Sequence, residues 1–166
     1  MKKFNFSLIL ALFVLGFVSC GPTTDDAIKY NDAIIEQQTI LVKENDKVID
    51  AMGGDAAKFE AAIKEFNAQV AKSTEIVEKM DKFGKETTFK DAALSLFKVF
   101  KSVGDNEYKE ILRVINIPSD KVTKADEDQM MASAKQIDDK LQKELDAFLK
   151  SQKDFAEKYK FKLQAQ

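Results

Sequence analysis

A single thiol, Cys20, and the complete lack of histidine define what chemistry this sequence can carry. Without imidazole there is no Ser-His-Asp or Cys-His pair, no HExxH zinc site and no ExxH half-site of a ferritin-like di-iron bundle. The carboxylates do not make up for it. Asp138 and Asp139 are adjacent in a helical pattern and diverge by about 100° around its axis, so they cannot together clamp one metal ion or one glycosidic bond. No Gly-x-Gly-x-x-Gly loop occurs, and Gly53-Gly54 is followed by no phosphate-binding motif. The expectation is a non-enzymatic protein that needs neither metal nor cofactor. Its mild acidity also argues against nucleic acid, which binds clustered cations.

The other polar signal is a line of amides. Ala27/Ile28, Ile34/Ile35, Leu41/Val42 and Val48/Ile49 recur every seven residues and must face a core. Half a heptad beyond each pair, Asn31, Gln38 and Asn45 continue the same line, because 3.5 residues turn a helix by about 350°. Ser73 and Gln152 lie in line with the apolar stripes of two later segments. An unsatisfied buried amide costs about 1–3 kcal/mol, so these groups need partners. Two readings follow. Either they bond to one another, to Ser73, Gln152 or trapped water and fix helix register, or they line a polar cavity that accepts a small ligand.

The elements that position these residues are helices. Only two prolines occur, Pro22 and Pro118, and both lie outside the periodic stretches. A first helix starts after Thr23 or Thr24, with Asp25 and Asp26 at the positive end of its dipole, and stops at Gly53-Gly54. Asp55 caps a second, which runs to about Lys82 before Gly84 ends it. Thr87 or Thr88 caps a third, which Gly104-Asp105-Asn106 bends or breaks. Thr123, with Asp126 three residues on, opens a fourth that reaches about Lys160. Short connections make neighbours antiparallel, so the fold class is all-α, an up-down-up-down four-helix bundle over 25–166. Phe89, Phe97 and Phe100 with Leu96, Val103 and Ile111 give the third helix a broad apolar face. Most of it is core, and one flank offers a partner groove of the kind a chaperone or inhibitor needs.

Residues 1–19 read as a processing segment. Lys2 and Lys3 precede "LILALFVLGFV", an apolar run from Leu8 to Val18 that is 11 residues long, against the roughly 20 a membrane span needs. Phe17-Val18-Ser19-Cys20 resembles a bacterial lipobox, and the signal region resembles that of Bacteroidetes-type lipoproteins. "KYNDAIIEQQ" is similar to the first helix of helical surface lipoproteins of that group and of Leptospira. The resemblance implies cleavage before Cys20, and diacylglycerol plus an N-acyl chain on that residue. It also implies sorting to the outer membrane, since Gly21 stands where inner-membrane retention wants Asp; periplasmic and surface-facing orientations both stay open. A lone thiol has no partner within the chain, and acylation uses it. Cleavage removes two lysines and no acid, so 26 cations become 24 against 28 acids, a formal charge of −4.

Residues 20–24 then form a short lipidated tether. In such a bundle the C-terminal "KYKFKLQAQ" lies beside the start of the first helix, within about 15 Å of Cys20. Two readings are open for Lys158, Tyr159, Lys160, Phe161 and Lys162: contact with the membrane surface, or complementing the negative end of the fourth helix. Together the features predict a cell-envelope lipoprotein that acts by protein-protein contact or as a structural component. The alternative is a ligand carrier built around Asn31, Gln38 and Asn45. In either case the partners are a membrane, through the anchor, and an envelope protein or small ligand whose identity the sequence does not give.

Overall fold

Thr23 begins the fold by accepting a hydrogen bond from the Asp26 amide (3.2 Å) while Asp26 Oδ2 accepts from the Thr23 amide (3.0 Å). This reciprocal cap starts α1 (Thr24–Met52), which ends at Gly53. The computed structural model describes residues 21–163, so the expected signal segment, Cys20 and the last three residues of "KYKFKLQAQ" lie outside the described residues. Asp55 caps α2 (Ala56–Glu78) by accepting from the Ala57 amide at 2.8 Å. A second reciprocal cap, Thr123 with Asp126, starts α5 (Lys124–Tyr159). These local signals fall where the sequence places them.

Helix α2 stops four residues short of the expected Lys82, and the cause is not local. Phe83 turns into the core, 7% exposed, with its ring 5.1 Å from Tyr30 and 4.8 Å from Tyr159. The Lys90 ammonium donates to the Glu78 and Met80 carbonyls, satisfying the end of α2. Gly84 then takes φ +62°, a left-handed value that suits glycine, and the Glu86 amide closes the turn on the Phe83 carbonyl at 2.9 Å.

The third rod is broken into α3 (Thr88–Asp105) and α4 (Glu107–Ile115), with Asn106 at the joint. At Gly104 a Cβ would lie 1.9 Å from Asn67 Oδ1 of α2, so the Asn67 side chain occupies the space beside this glycine and would have to move to admit a larger residue. The Asn106 side chain turns back to the Ser102 carbonyl (2.8 Å), and the break swings Tyr108 fully into the interior. The four rods run up-down-up-down. α1 packs chiefly on α2, and α5 chiefly on α3 and α4. α1 meets α5 where Thr24 Oγ1 donates to the Tyr159 carbonyl at 3.0 Å.

The core lies between the rods: Ala27, Ile34, Leu41 and Val48 on α1, Phe59, Phe66, Val70 and Val77 on α2, Phe89, Phe97 and Val103 on α3, and Phe148 on α5. Each large apolar side chain so buried contributes roughly 1.5–3 kcal/mol. All of these lie inside the helices, so the bundle carries its own core. Two expectations are corrected. The second members of the end pairs on α1 are not core, since Ile28 and Ile49 are 36% and 49% exposed, while Ile35 and Val42 pack half-buried against it; a step of about 100° carries them all off the fully buried line. Phe97 and Phe100 are 0% and 4% exposed, so the rings that the chaperone reading needs at the surface are buried, although a cleft of about 470 Å³ between α2 and α3 reaches the edge of Phe97.

Candidate functional site

Successive members of the amide line sit about 10 Å apart along α1, too far to bond one another, so each must find a partner on a different helix. Asn31 Oδ1 accepts from Gln152 Nε2 of α5 at 3.0 Å, while Asn31 Nδ2 donates to Asp32 at 3.1 Å. Asn45 Oδ1 accepts from the Tyr108 hydroxyl of α4 at 2.8 Å. Ser73 of α2 donates to Gln37 Oε1 (3.0 Å) and accepts from Gln69 Nε2 (3.0 Å). The expected Gln38 is buried too, yet its side chain has no partner among the described residues. The residue serving Ser73 is thus one position earlier, which lies on the side of α1 facing α2.

The structure therefore spreads four of the five polar residues, Asn31, Asn45, Ser73 and Gln152, over three inter-helix bonds instead of gathering all five around one space. Four clefts of about 240 to 490 Å³ lie elsewhere, and none of these four is lined by Asn31, Gln38 or Asn45. Burial, reinforced by the charges of Asp138 and Asp46, holds the Tyr108 hydroxyl far above the ordinary tyrosine range, so it stays a donor to Asn45. Sequence reading missed Tyr108, which lies 63 residues from Asn45. It also missed the buried Glu107, whose Oε1 accepts from Lys140 at 2.6 Å while Oε2 has no partner. No group of three or more Cys, Asp or Glu among the described residues is placed to hold a metal ion.

The second candidate region is the end of the bundle where the tether emerges. A Cβ at Gly84 would lie 3.2 Å from the Pro22 ring, so Pro22, two residues after Cys20 in the sequence, packs on the α2–α3 turn. Tyr159 packs its ring 4.8 Å from both Phe83 and Phe155, and Phe161 lies 6.0 Å from Phe155. Both rings turn inward and leave the surface role expected of them to others. Lys158 pairs with Glu86, whose carboxyl this bond, with Thr88, holds below the usual range. Lys160 takes a left-handed conformation (φ 60°) that ends α5, and only it and Lys162 of the expected set are exposed without an ion pair among the described residues. Tyr30, also missed in the sequence, holds a buried hydroxyl without a partner beside Phe83, and burial raises its pKa.

No helix among the described residues is long and apolar enough to cross a membrane. Comparison with curated proteins returns no match, and comparison with solved structures returns none either. Residues 44–159, from the second half of α1 to the end of α5, match a family of unknown function (DUF7242), and with most of its length covered the chain belongs to that family.

Proposed function

We propose that this protein is a non-enzymatic lipoprotein of the cell envelope, a helical bundle held at the membrane by acyl chains on Cys20 and acting by protein-protein contact or as a structural component. The observation that carries the reading is the lipobox-like Phe17-Val18-Ser19-Cys20 ending two residues before Pro22, where the fold begins. Two or more acyl chains, each buried methylene contributing about 0.8 kcal/mol, make such an anchor stable. The alternative, a carrier with its site at Asn31, Gln38 and Asn45, is favoured only by Gln38, since Asn31 and Asn45 already hold α5 and α4 in place. Labelling of cells with radioactive palmitate tests the anchor. The wild-type chain should incorporate label and Cys20→Ala should not; label retained in Cys20→Ala overturns the reading.

A further inference from the structure

The tether end of the bundle is charged differently from the rest of the molecule. It comprises residues 21–26, the turn 79–87 and the end of α5, 158–163, which Thr24-Tyr159, Phe83-Tyr159 and Pro22-Gly84 contacts hold together. These residues carry six lysines against four carboxylates, in a mature chain expected to bear −4 overall. The opposite end, residues 53–55 and 116–127, carries two lysines against four carboxylates. Just behind these residues the last turns of α2 and α5 add Glu75, Glu78 and Glu157, so what distinguishes this end is which of its lysines stand exposed and unpaired.

Two of the six lysines are paired on the surface of the chain itself, Lys79 with Glu75 and Lys158 with Glu86. The other four, Lys82, Lys85, Lys160 and Lys162, are exposed and have no ion pair among the described residues. Serving the negative ends of α2 and α5 does not account for them. At the end of α2 the Glu75 and Val77 carbonyls accept from the Lys79 and Met80 amides, and the Glu78 carbonyl, with that of Met80 beyond it, accepts from Lys90. The last carbonyls of α5 are taken by backbone and by Thr24: the Phe161 amide donates to Ala156 at 3.1 Å, the Lys160 amide to Glu157 at 3.3 Å, and Thr24 to Tyr159. Opposing charge at this end comes from Asp25, Asp81 and Glu78; Asp26 is bonded to Thr23, and Glu75, Glu86 and Glu157 are paired with Lys79, Lys158 and Lys153.

We propose that this end is a docking face for the phosphate headgroups of an anionic membrane, with Lys82, Lys85, Lys160 and Lys162 as its contacts, and that it stands the bundle upright on its anchor. The inference rests on the lipoprotein reading for its geometry. Two extended residues span about 7 Å, which keeps Pro22, and with it the Gly84 turn on which it packs, within about one Debye length of the surface at physiological salt. Tyr159 and Phe161 take no part, because their rings brace the turn from within.

The test uses residues 21–166, which contain the whole core and lack Cys20, sedimented with vesicles of phosphatidylglycerol or of phosphatidylcholine at low salt. The chain should partition onto the first and not the second. Each lysine at an anionic surface is worth about fivefold, so Lys82→Ala/Lys85→Ala and Lys160→Ala/Lys162→Ala should each lower partitioning about 25-fold at unchanged helicity. Lys121→Ala/Lys124→Ala at the far end should leave it unchanged. Equal binding to both vesicles, an equal loss from the far-end pair, or displacement by inorganic phosphate at constant ionic strength would overturn the proposal. Because the protein used has no Cys20, this result and palmitate labelling succeed or fail independently.

Discussion

Tyr108→Phe removes one oxygen from the middle of the bundle and nothing else. The ring is fully buried, edge-on to Phe59 and Phe66 with centroids 6.1 Å away in each case, and phenylalanine keeps those contacts. What is lost is the 2.8 Å bond to Asn45, which is itself only 7% exposed. Its amide oxygen is then left without a donor, at a cost of about 1–3 kcal/mol. For a domain of this size each kcal/mol lowers the melting temperature by about 2–4 °C. Urea unfolding followed by far-UV circular dichroism reads the change directly. Adding Asn45→Leu removes both partners and should restore most of the loss, giving a coupling of about 1 kcal/mol or more in the double-mutant cycle.

The same bond has a pH signature. The folded state raises the Tyr108 pKa above its ordinary 10.0, chiefly through burial and then through Asp138 and Asp46. The stability this represents is fully present below about pH 10 and is lost as pH rises further, because the unfolded chain releases the proton first. Relative to Tyr108→Phe, the wild type should lose about 1.4 kcal/mol per pH unit on that limb. A Tyr108→Phe protein within about 0.5 kcal/mol of wild type, with no coupling to Asn45 and a parallel alkaline limb, would refute the claim that these polar groups hold the helices together.

Two further perturbations probe the parts that set the ends and the joint. Gly104→Ala gains up to about 1 kcal/mol of helix propensity but drives its Cβ into Asn67, so it should destabilise by about 1 kcal/mol net, and adding Asn67→Ala should recover stability; a more stable Gly104→Ala protein refutes the close approach. Glu86 has its carboxyl held below the usual range by Lys158 and Thr88, so its contribution is present above its ordinary 4.5 and lost as pH falls through the folded value. Lys158→Ala should therefore move the acid-unfolding midpoint to higher pH, and an unchanged midpoint argues against the pair.

What was legible in the sequence was what adjacent residues decide. The Thr123-Asp126 cap is readable three residues apart and forms as expected, and of Thr23 and Thr24 it is Thr23 that caps α1, with Asp26 bonding back to it as well as facing the dipole. The third rod breaks where glycine, aspartate and asparagine lower helix propensity, although what fills the space beside the glycine is Asn67 on another helix. The end of α2 was not readable, because Phe83 leaves the helix to join Tyr30, Phe155 and Tyr159, residues far away in the chain. The amide line was found as a pattern but not as a set of partners. Gln37 and Gln38 differ by about 100° around α1, and only knowing where α2 lies tells which one meets Ser73.

Lipid on Cys20 and a core closed by its own polar bonds are joined in one measurement, native mass spectrometry of the protein purified gently from its own membrane. The account predicts a chain that begins at Cys20, carries its acyl groups and retains no other small molecule. A chain that begins elsewhere without lipid would contradict the anchor. A retained compound lost in Gln38→Leu would contradict the structural role of the amides and make carriage the function.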